Sequence, residues 1–187
     1  MDLRQLAPAL SLNDISADFE GEQVMPSKSL NSRIPTYKAT LSNGEFQQTY
    51  QDLVGIVQNL RTEFFKKYKS EYSTANVLHG YVDFTYFYLQ NEYLKKRKLK
   101  FAIVFKHKNA NFELWLLGQT KDIQVLYWRK LRAVKWVNEG AMPEYSIFEI
   151  PLLEAPDFDN PSKLSESIHS QFKTLSSEIF HTLEAYE

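Results

Sequence analysis

The stretch that most constrains the fold is LKFAIVFKHKNANFELWLLG, at residues 99–118. Apolar residues occupy every second position from Leu99 to Phe105, and a period of two is typical of a β-strand. A polar turn, HKNAN, separates this run from a second apolar run at 112–117, which Gly118 closes. The order of strand, short polar turn and strand predicts a β-hairpin.

A further strand is predicted at residues 79–89, HGYVDFTYFYL, because β-branched and aromatic residues fill most of its positions. Alternation assigns Asp83 to the same face as Phe87, and Tyr86 to the opposite face. Both faces are mostly apolar, so we expect a central strand and not an edge strand. Asp83 is the single charged residue in this strand.

Steps of three and four between apolar residues predict three longer helices. The first covers residues 45–71, and Ser42 with Glu45 has the spacing of a capping box at its start. The second helix follows Thr120 and the last follows Asn160. Both residue types accept hydrogen bonds well at helix N-termini, so both positions are expected to be N-caps.

With a further strand at 145–150, the predicted order of elements is α-β-β-β-α-β-α. No glycine-rich loop or regular alternation of strand and helix indicates a doubly wound sheet. The predicted fold class is therefore α+β, a largely antiparallel sheet with helices packed on it. Residues 1–40 carry three prolines and scattered apolar positions, which predict an irregular N-terminal arm with one short helix near residues 3–10. Residues 41–187 are then expected to form a single α+β domain.

Several kinds of chemistry are disfavoured by what the sequence lacks. The absence of cysteine excludes disulfides, thiolate metal sites and cysteine nucleophiles, and it fits a reducing cytoplasm. The N-terminal stretch lacks the apolar core of a secretory signal, and no run approaches the ~18 apolar residues of a membrane span. We therefore expect a soluble cytoplasmic protein with no membrane partner. No glycine-rich loop that would cradle a dinucleotide or triphosphate, HExxH motif or GxSxG motif is present, and the cofactor is left unassigned.

Charge is distributed unevenly along the chain. Residues 61–135 hold sixteen Lys and Arg against six Asp and Glu, whereas 1–60 hold four against seven and 136–187 two against ten. We favour acidic ends that fold back beside the basic middle. The alternative is a basic surface for phosphate or nucleic acid. The densest basic stretches, 95–100 and 128–136, carry no RNP, KH or zinc-finger signature, so nucleic acid is the less favoured partner.

Two acidic residues on the predicted sheet are candidates for catalysis or metal binding. Asp83 and Glu113 lie in different predicted strands, and two such carboxylates could hold a divalent cation or divide the acid and base roles. They meet only if the strand register places them on one face. Otherwise we expect Asp83 to accept hydrogen bonds from Tyr or Arg, and Glu113 to pair with Lys100 or Lys106. The candidates for ligand binding are Tyr81, Tyr86, His107, Trp115, Gln119 and Arg129.

The order of elements resembles the αβββαβ core of the PD-(D/E)XK nuclease superfamily, in which strand carboxylates and a lysine bind metal and activate water. The matching position is Glu113, in the third predicted strand. Trp115 stands where that family places its lysine, and the second predicted strand, 99–107, has no acid. The resemblance implies a metal-dependent hydrolase as one alternative, with Asp83 as the second carboxylate.

A closer resemblance is carried by HGYVDFTYFYL and by FELWLLGQTKDIQVLYW, at residues 112–128. These stretches resemble an uncharacterised bacterial family of unknown function with the pattern GYxDxTYF, FExWL-G, IQ and YW. The matching residues are Gly80, Tyr81, Asp83, Thr85, Tyr86, Phe87, Leu99, Lys100, Phe112, Glu113, Trp115, Leu116, Gly118, Ile123, Gln124, Tyr127 and Trp128. The resemblance covers about residues 45–135 and implies a compact bacterial cytosolic protein, without an activity to transfer.

Three functions remain open on these observations. We favour a small binding or interaction module with an aromatic-lined groove on the sheet, because Phe, Tyr and Trp make up 14% of the chain. The ligand is unknown, and a homodimer is one form that such a module could take. One alternative is a metal-dependent hydrolase or nuclease-like enzyme that uses Asp83 and Glu113. The other is phosphate or nucleic-acid binding through the basic middle of the chain.

Overall fold

A computed structural model of the protein describes residues 28–138 and 140–186. The chain divides into two compact units, Met1–Phe46 and Gln47–Glu187. The short helix predicted near residues 3–10 lies outside the described residues. The division into an arm over 1–40 and a domain over 41–187 stays a prediction, since most of the arm is not described.

Helix α1 (Leu30–Leu41) forms where the sequence predicted irregular structure, so that prediction was wrong for this stretch. Ser29 caps the helix, and its hydroxyl oxygen accepts a hydrogen bond from the backbone N–H of Ser32. Pro35 indicated a break, but it lies inside the helix. A proline there removes one backbone donor and crowds the carbonyl four residues earlier, and the Ser29 cap offsets part of that cost.

The capping box predicted for Ser42 and Glu45 does not form. Because α1 continues to residue 41, the Ser42 hydroxyl donates to the carbonyl of Ala39 and closes that helix. Helix α2 (Glu45–Tyr68) begins instead with Asn43, whose side-chain oxygen accepts a hydrogen bond of 3.1 Å from the backbone N–H of Glu45. An Asx residue therefore takes the place that the serine was expected to fill.

The unit Gln47–Glu187 is built on an antiparallel sheet. Its strands are β1 (Ser73–Thr74), β2 (Leu78–Gly80), β3 (Phe84–Gln90), β4 (Leu99–Lys106), β5 (Asn111–Gly118) and β6 (Phe148–Leu153). Their order in the sheet is β1-β3-β4-β5-β6, and β2 also pairs with β3. Every pairing is antiparallel, with Phe84 opposite Lys106 and Val104 opposite Glu113. The predicted hairpin at 99–118 is confirmed as β4 and β5.

Three helices follow α2 along the chain: α3 (Glu92–Lys96), α4 (Lys121–Lys130) and α5 (Pro161–Ala185). Thr120 and Asn160 cap α4 and α5 as predicted, since each side chain accepts from a backbone N–H three residues later. The order of the long elements is α2-β3-β4-β5-α4-β6-α5, so the predicted α+β class and order are confirmed.

The stretch predicted as one strand at 79–89 is a hairpin. Strand β2 ends at Gly80, the chain turns through Tyr81, Val82 and Asp83, and β3 begins at Phe84. Tyr81 has a φ of 56°, and the backbone N–H of Asp83 donates to the carbonyl of Gly80. Asp83 therefore lies in a turn and not within a strand. Apolar composition did not reveal the turn, because the turn itself carries Tyr81 and Val82 and runs directly into the aromatic strand β3.

The two faces of the sheet are covered differently. On one face Phe87, Ile103 and Leu114 pack in the main core, which also contains apolar residues of α2 and α5. On the other face a second cluster contains only strand residues: Ala102, Val104, Trp115, Leu117, Phe84, Tyr86 and Tyr88. We call this second side the open face. It is the face on which a ligand could reach the aromatic residues of β3 and β5.

Candidate binding groove on the open sheet face

A cavity of about 390 Å³ lies on the open face over β3, β4 and β5, and we call it the groove. Its lining residues are Gly80, Tyr81, Asp83, Phe84, Tyr86, Tyr88, Lys100, Ala102, Val104, Trp115, Leu117, Gly118 and Tyr145. Because side chains alternate along a strand, the strand residues that line it are mostly alternate positions: 84, 86 and 88 of β3, 100, 102 and 104 of β4, and 115 and 117 of β5. The groove is thus a direct consequence of strand periodicity on a face without a covering helix among the described residues.

Aromatic rings form most of the groove wall. Trp115 is only 5% exposed, and Phe84 contacts it edge-on with the ring centroids 5.3 Å apart. Tyr145 extends this row, since its ring centroid is 6.3 Å from that of Phe84. Tyr86 and Tyr88 lie along the same strand with centroids 5.3 Å apart. Edge-to-face packing of this kind fixes ring orientation and leaves flat apolar faces available for contact.

The Trp115 ring is held by Glu113. The indole N–H donates a hydrogen bond of 2.7 Å to one carboxylate oxygen, and the side-chain amide of Asn111 donates to the other at 3.2 Å. Lys106 compensates the negative charge of Glu113, since its Nζ lies 3.4 Å from a Glu113 carboxylate oxygen. The same Nζ lies 3.5 Å from a carboxylate oxygen of Glu149. Glu113 is 7% exposed and fully engaged by these donors. Its pairing with Lys106 matches the structural alternative expected from the sequence.

One basic residue lines the groove. The Nζ of Lys100 lies 3.5 Å from the ring centroid of Tyr88, and burial lowers the pKa of this ammonium group. Burial, followed by a hydrogen bond with Tyr86, raises the pKa of Tyr88 to about 12, so the Tyr88 hydroxyl stays protonated at neutral pH. The groove therefore presents one cation beside apolar rings, and the Tyr88 hydroxyl is engaged by Tyr86.

The two candidate catalytic carboxylates are not brought together. Asp83 is exposed in the turn at the groove rim, whereas Glu113 is buried beneath Trp115. The register places them two strands apart and about three residues apart along the strands, which is about 14 Å between Cα atoms. In the described part of the chain, no three His, Asp or Glu side chains gather where they could hold a metal ion. A catalytic role for this pair stays a prediction.

His107 supports the turn at residues 81–83 from the face of the sheet that the helices cover. Its ring stacks on Tyr50 of α2 with centroids 4.9 Å apart, and its Nε2 lies 2.8 Å from the Thr85 hydroxyl. The Tyr50 hydroxyl donates to the carbonyl of Tyr81, and the His107 backbone N–H donates to the carbonyl of Asp83. Burial lowers the pKa of His107, which favours the neutral ring.

The structure brings three of the six candidate binding residues together. Tyr81, which is 88% exposed, stands at the groove rim, and Tyr86 and Trp115 line its wall. The remaining three, His107, Gln119 and Arg129, do not line the groove. Gln119 is exposed just beyond the end of β5, and Arg129 is exposed on α4. A role in ligand binding stays a prediction for all six.

The sequence reasoning missed several lining residues. Phe84, Tyr88 and Lys100 could have been found, because alternation already placed them on the same strand faces as Tyr86 and Val104. Tyr145 had no such signal, since it precedes β6 and reaches the groove through a loop.

The loop that carries Tyr145 is held by two residues of the family pattern. The buried side-chain amide of Gln124 donates to the carbonyls of Pro143 and Ser146, at 2.8 and 2.7 Å. A Cβ at Gly118 would lie 2.5 Å from the backbone nitrogen of Gln124, so this close approach of β5 and α4 requires glycine. Gly118 and Gln124 therefore position the side of the groove that carries Tyr145, and Gln124 does so without lining the groove.

Several basic residues of the middle segment are engaged within the protein. Lys135 pairs with Glu178 of α5 at 3.0 Å, and Lys106 reaches Glu149 of β6. The Arg97 guanidinium stacks 3.5 Å from the ring centroid of Tyr93. These contacts place the C-terminal acids Glu149 and Glu178 beside the basic segment. Most acids of the N-terminal end lie outside the described residues, so the interpretation that both ends fold back stays a prediction.

Comparison with known proteins gives one finding about the family. A family model described as Domain of unknown function (DUF7000) matches residues 30–183. The match extends the expected region of resemblance, 45–135, on both sides. No curated protein and no solved structure matches the chain, so similarity to the PD-(D/E)XK nucleases is not shown. In the described ranges no helix is long and apolar enough to cross a membrane. Because the family model covers most of its length, the chain belongs to the family of the domain of unknown function DUF7000.

Proposed function

We propose that the protein is a binding module and that the groove on its open sheet face takes a small, flat, largely apolar molecule. The observation that carries the proposal is the groove of about 390 Å³ lined by the rings of Phe84, Tyr86, Tyr88, Trp115 and Tyr145. Ligand pockets for small molecules have volumes of this order and are lined mainly by apolar and aromatic side chains.

Preorganisation supports the proposal. The Trp115 indole is held by Glu113, and Phe84 packs edge-on against it. Rings that are already ordered lose little conformational entropy when a ligand arrives, so more of the contact energy appears as affinity. A floor of small residues, Ala102 and Val104, leaves room between the rings and the sheet.

The chemistry of the wall favours binding over catalysis. Glu113 accepts hydrogen bonds from Trp115 and Asn111 and pairs with Lys106, so its oxygens are occupied. Asp83 stands exposed at the rim, far from Glu113 along the sheet. No observation favours the hydrolase or the nucleic-acid alternative over a binding role.

The cysteine-free composition supports a cytoplasmic location, which cell fractionation would test and an extracellular pool would contradict.

The proposal is tested by titrating the protein with phenylnaphthylamine, a neutral aromatic dye whose fluorescence rises in apolar surroundings. We expect saturable binding at one site per chain, weakened about tenfold by Tyr86→Ala because one wall ring is lost. Tyr186→Ala removes an exposed tyrosine outside the groove and is the matched control. Equal affinity in both variants, or no saturable binding by the folded protein, would refute the proposal.

A further inference from the structure

We propose that Lys100 forms an anion subsite inside the groove, so that the module selects flat apolar molecules that carry a single carboxylate. This inference rests on the proposed binding function and deepens it, because it names the chemical class of the ligand. It starts from the difference between two lysines on the same face of β4.

Lys100 and Lys106 differ in what compensates their charge. Lys106 lies within 3.5 Å of both Glu113 and Glu149, which occupy neighbouring strands. Lys100 is half-buried and faces the Tyr88 ring at 3.5 Å, and no carboxylate of the described residues pairs with it. Its strand neighbour on β5 is Leu117, which offers no charge.

A half-buried ammonium group without an anion is costly. Burial removes part of its hydration, and contact with the Tyr88 ring returns only a fraction of that loss. The lowered pKa of Lys100 has the same cause. A ligand carboxylate at this position would restore a charge-assisted hydrogen bond in a partly dehydrated site, where such a bond is stronger than at an open surface.

The residues that line the groove favour a ligand with one negative charge over a ligand with two. Lys100 is the only Lys or Arg among the residues that line the groove. Phosphate groups are usually held by several donors, such as an arginine fork or a row of backbone N–H groups, whereas one ammonium suffices for a carboxylate. The Tyr88 hydroxyl is engaged in a hydrogen bond with Tyr86, so the Lys100 ammonium is the group offered to the anion.

The position of the second charged lining residue orients the ligand. Asp83 stands at the opposite end of the groove, because its carbonyl accepts a hydrogen bond from the backbone N–H of His107. His107, directly after β4, is seven residues from Lys100, which is about 24 Å in the strand direction. An anionic ligand group is repelled at the Asp83 end and attracted at the Lys100 end. The aromatic part of the ligand then lies over Trp115 and between the rings.

The test uses three compounds that share one naphthalene ring and differ in charge: 1-naphthoate, 1-naphthylmethanol and 1-naphthyl phosphate. Each displaces phenylnaphthylamine from the full-length protein in a competition titration. We expect 1-naphthoate to compete about tenfold better than 1-naphthylmethanol, and better than the phosphate. Lys100→Met keeps the aliphatic stem and should remove this preference, which is measured as the ratio of the 1-naphthoate and 1-naphthylmethanol affinities within the same variant. Lys108→Met, an exposed lysine of the same hairpin, should leave it unchanged.

The outcomes separate the two proposals. Failure of the dye itself to bind the folded wild-type protein overturns the groove function and the subsite with it. Dye binding with equal competition by 1-naphthoate and 1-naphthylmethanol overturns the subsite alone, and this comparison needs no variant to fold. Stronger competition by the phosphate overturns the assignment of a single carboxylate. A preference for 1-naphthoate that persists in Lys100→Met overturns the role of Lys100, and Lys100→Gln checks that result independently.

Discussion

The indole N–H of Trp115 donates a hydrogen bond of 2.7 Å to the carboxylate of Glu113, two residues earlier on the same face of β5. Asn111, a further two residues earlier, donates to the second carboxylate oxygen. Three alternate residues of one strand thus form a chain of polar contacts beneath an otherwise apolar groove. The buried carboxylate of Glu113 therefore orients the Trp115 ring, whereas the sequence indicated it as a candidate catalytic group.

Glu113→Gln should loosen the Trp115 ring. The amide would turn one acceptor into a donor facing Asn111 or Trp115, so a buried donor loses its partner. We expect a loss of about 1–3 kcal/mol in the free energy of unfolding, measured by urea denaturation. The indole N–H resonance of Trp115 should shift in NMR spectra. Glu154→Gln, at an exposed position, serves as the control; equal stability of the two variants would contradict the role of Glu113.

Gly118→Ala and Gly55→Ala should change stability in opposite directions. A methyl group at Gly118 would lie 2.5 Å from the backbone of Gln124, which cannot move without shifting α4, whereas nothing lies within 4 Å at Gly55 of α2. We expect Gly118→Ala to cost about 1–3 kcal/mol, as overpacking does. Gly55→Ala should add about 0.5–1 kcal/mol, because alanine favours helix more than glycine. Thermal and urea unfolding of both variants measure this contrast, and a neutral Gly118→Ala would contradict it.

Gln124→Leu should release the loop that carries Tyr145. The substitution leaves the carbonyls of Pro143 and Ser146 without the donor that now satisfies them, at a cost of about 1–3 kcal/mol. Dye affinity should fall as well, although Gln124 does not line the groove. Gln171→Leu changes an exposed glutamine of α5 outside the groove and should alter neither quantity. If dye affinity were unchanged in Gln124→Leu, the loop would not contribute to binding.

Acid should destabilise the protein through His169. This buried ring stacks on Phe64, and burial, followed by the charge of Lys67, lowers its pKa although Glu63 acts in the opposite direction. The unfolded chain then binds a proton more readily than the folded protein. The stability contributed by neutral His169 is complete above its ordinary pKa of 6.5 and is lost as pH falls through the lowered folded pKa.

Urea unfolding between neutral pH and pH 5 measures this loss as the slope of the unfolding free energy against pH. His169→Gln should flatten the slope, while Ser170→Ala, an exposed and non-titrating position on the same helix, serves as the control. Some slope will remain in His169→Gln, because burial also lowers the pKa of His107. An unchanged slope in His169→Gln would show that His169 titrates alike in the folded and unfolded chains.

Asp83→Asn tests whether the Asp83 carboxylate is an exposed group at the groove rim or a group that supports the fold. The Asp83 side chain is exposed, and the turn uses its backbone N–H and carbonyl, which the substitution keeps. We expect a change of less than about 0.5 kcal/mol in the free energy of unfolding. Binding of 1-naphthoate should be unchanged or slightly tighter, since a negative charge leaves the rim. A large drop in melting temperature would show instead that the carboxylate supports the fold.

Strand and helix periods were sufficient to identify β4, β5, α4, α5 and the α+β order, because periodicity depends only on residues that are close along the chain. The same periodicity placed Tyr86 and Tyr88 on one face and Phe87 on the other, as found. The caps Thr120 and Asn160 were identifiable for the same reason, since a cap contacts a backbone group three residues away.

Contacts between distant segments decided the rest. The turn at residues 81–83 depends on the pairing of β3 with β2 and on the hydrogen bond from Tyr50 of α2. The position of Tyr145 depends on the hydrogen bonds that Gln124 donates to its loop. Glu113 could have faced solvent, a metal or a neighbouring residue, and only the register with β4 and β6 placed it beneath Trp115 beside Lys106. A one-residue shift in pairing would have exchanged the two faces of the strand. Local sequence therefore specified the strands, while the packing of segments far apart in the chain specified which side chains share the groove.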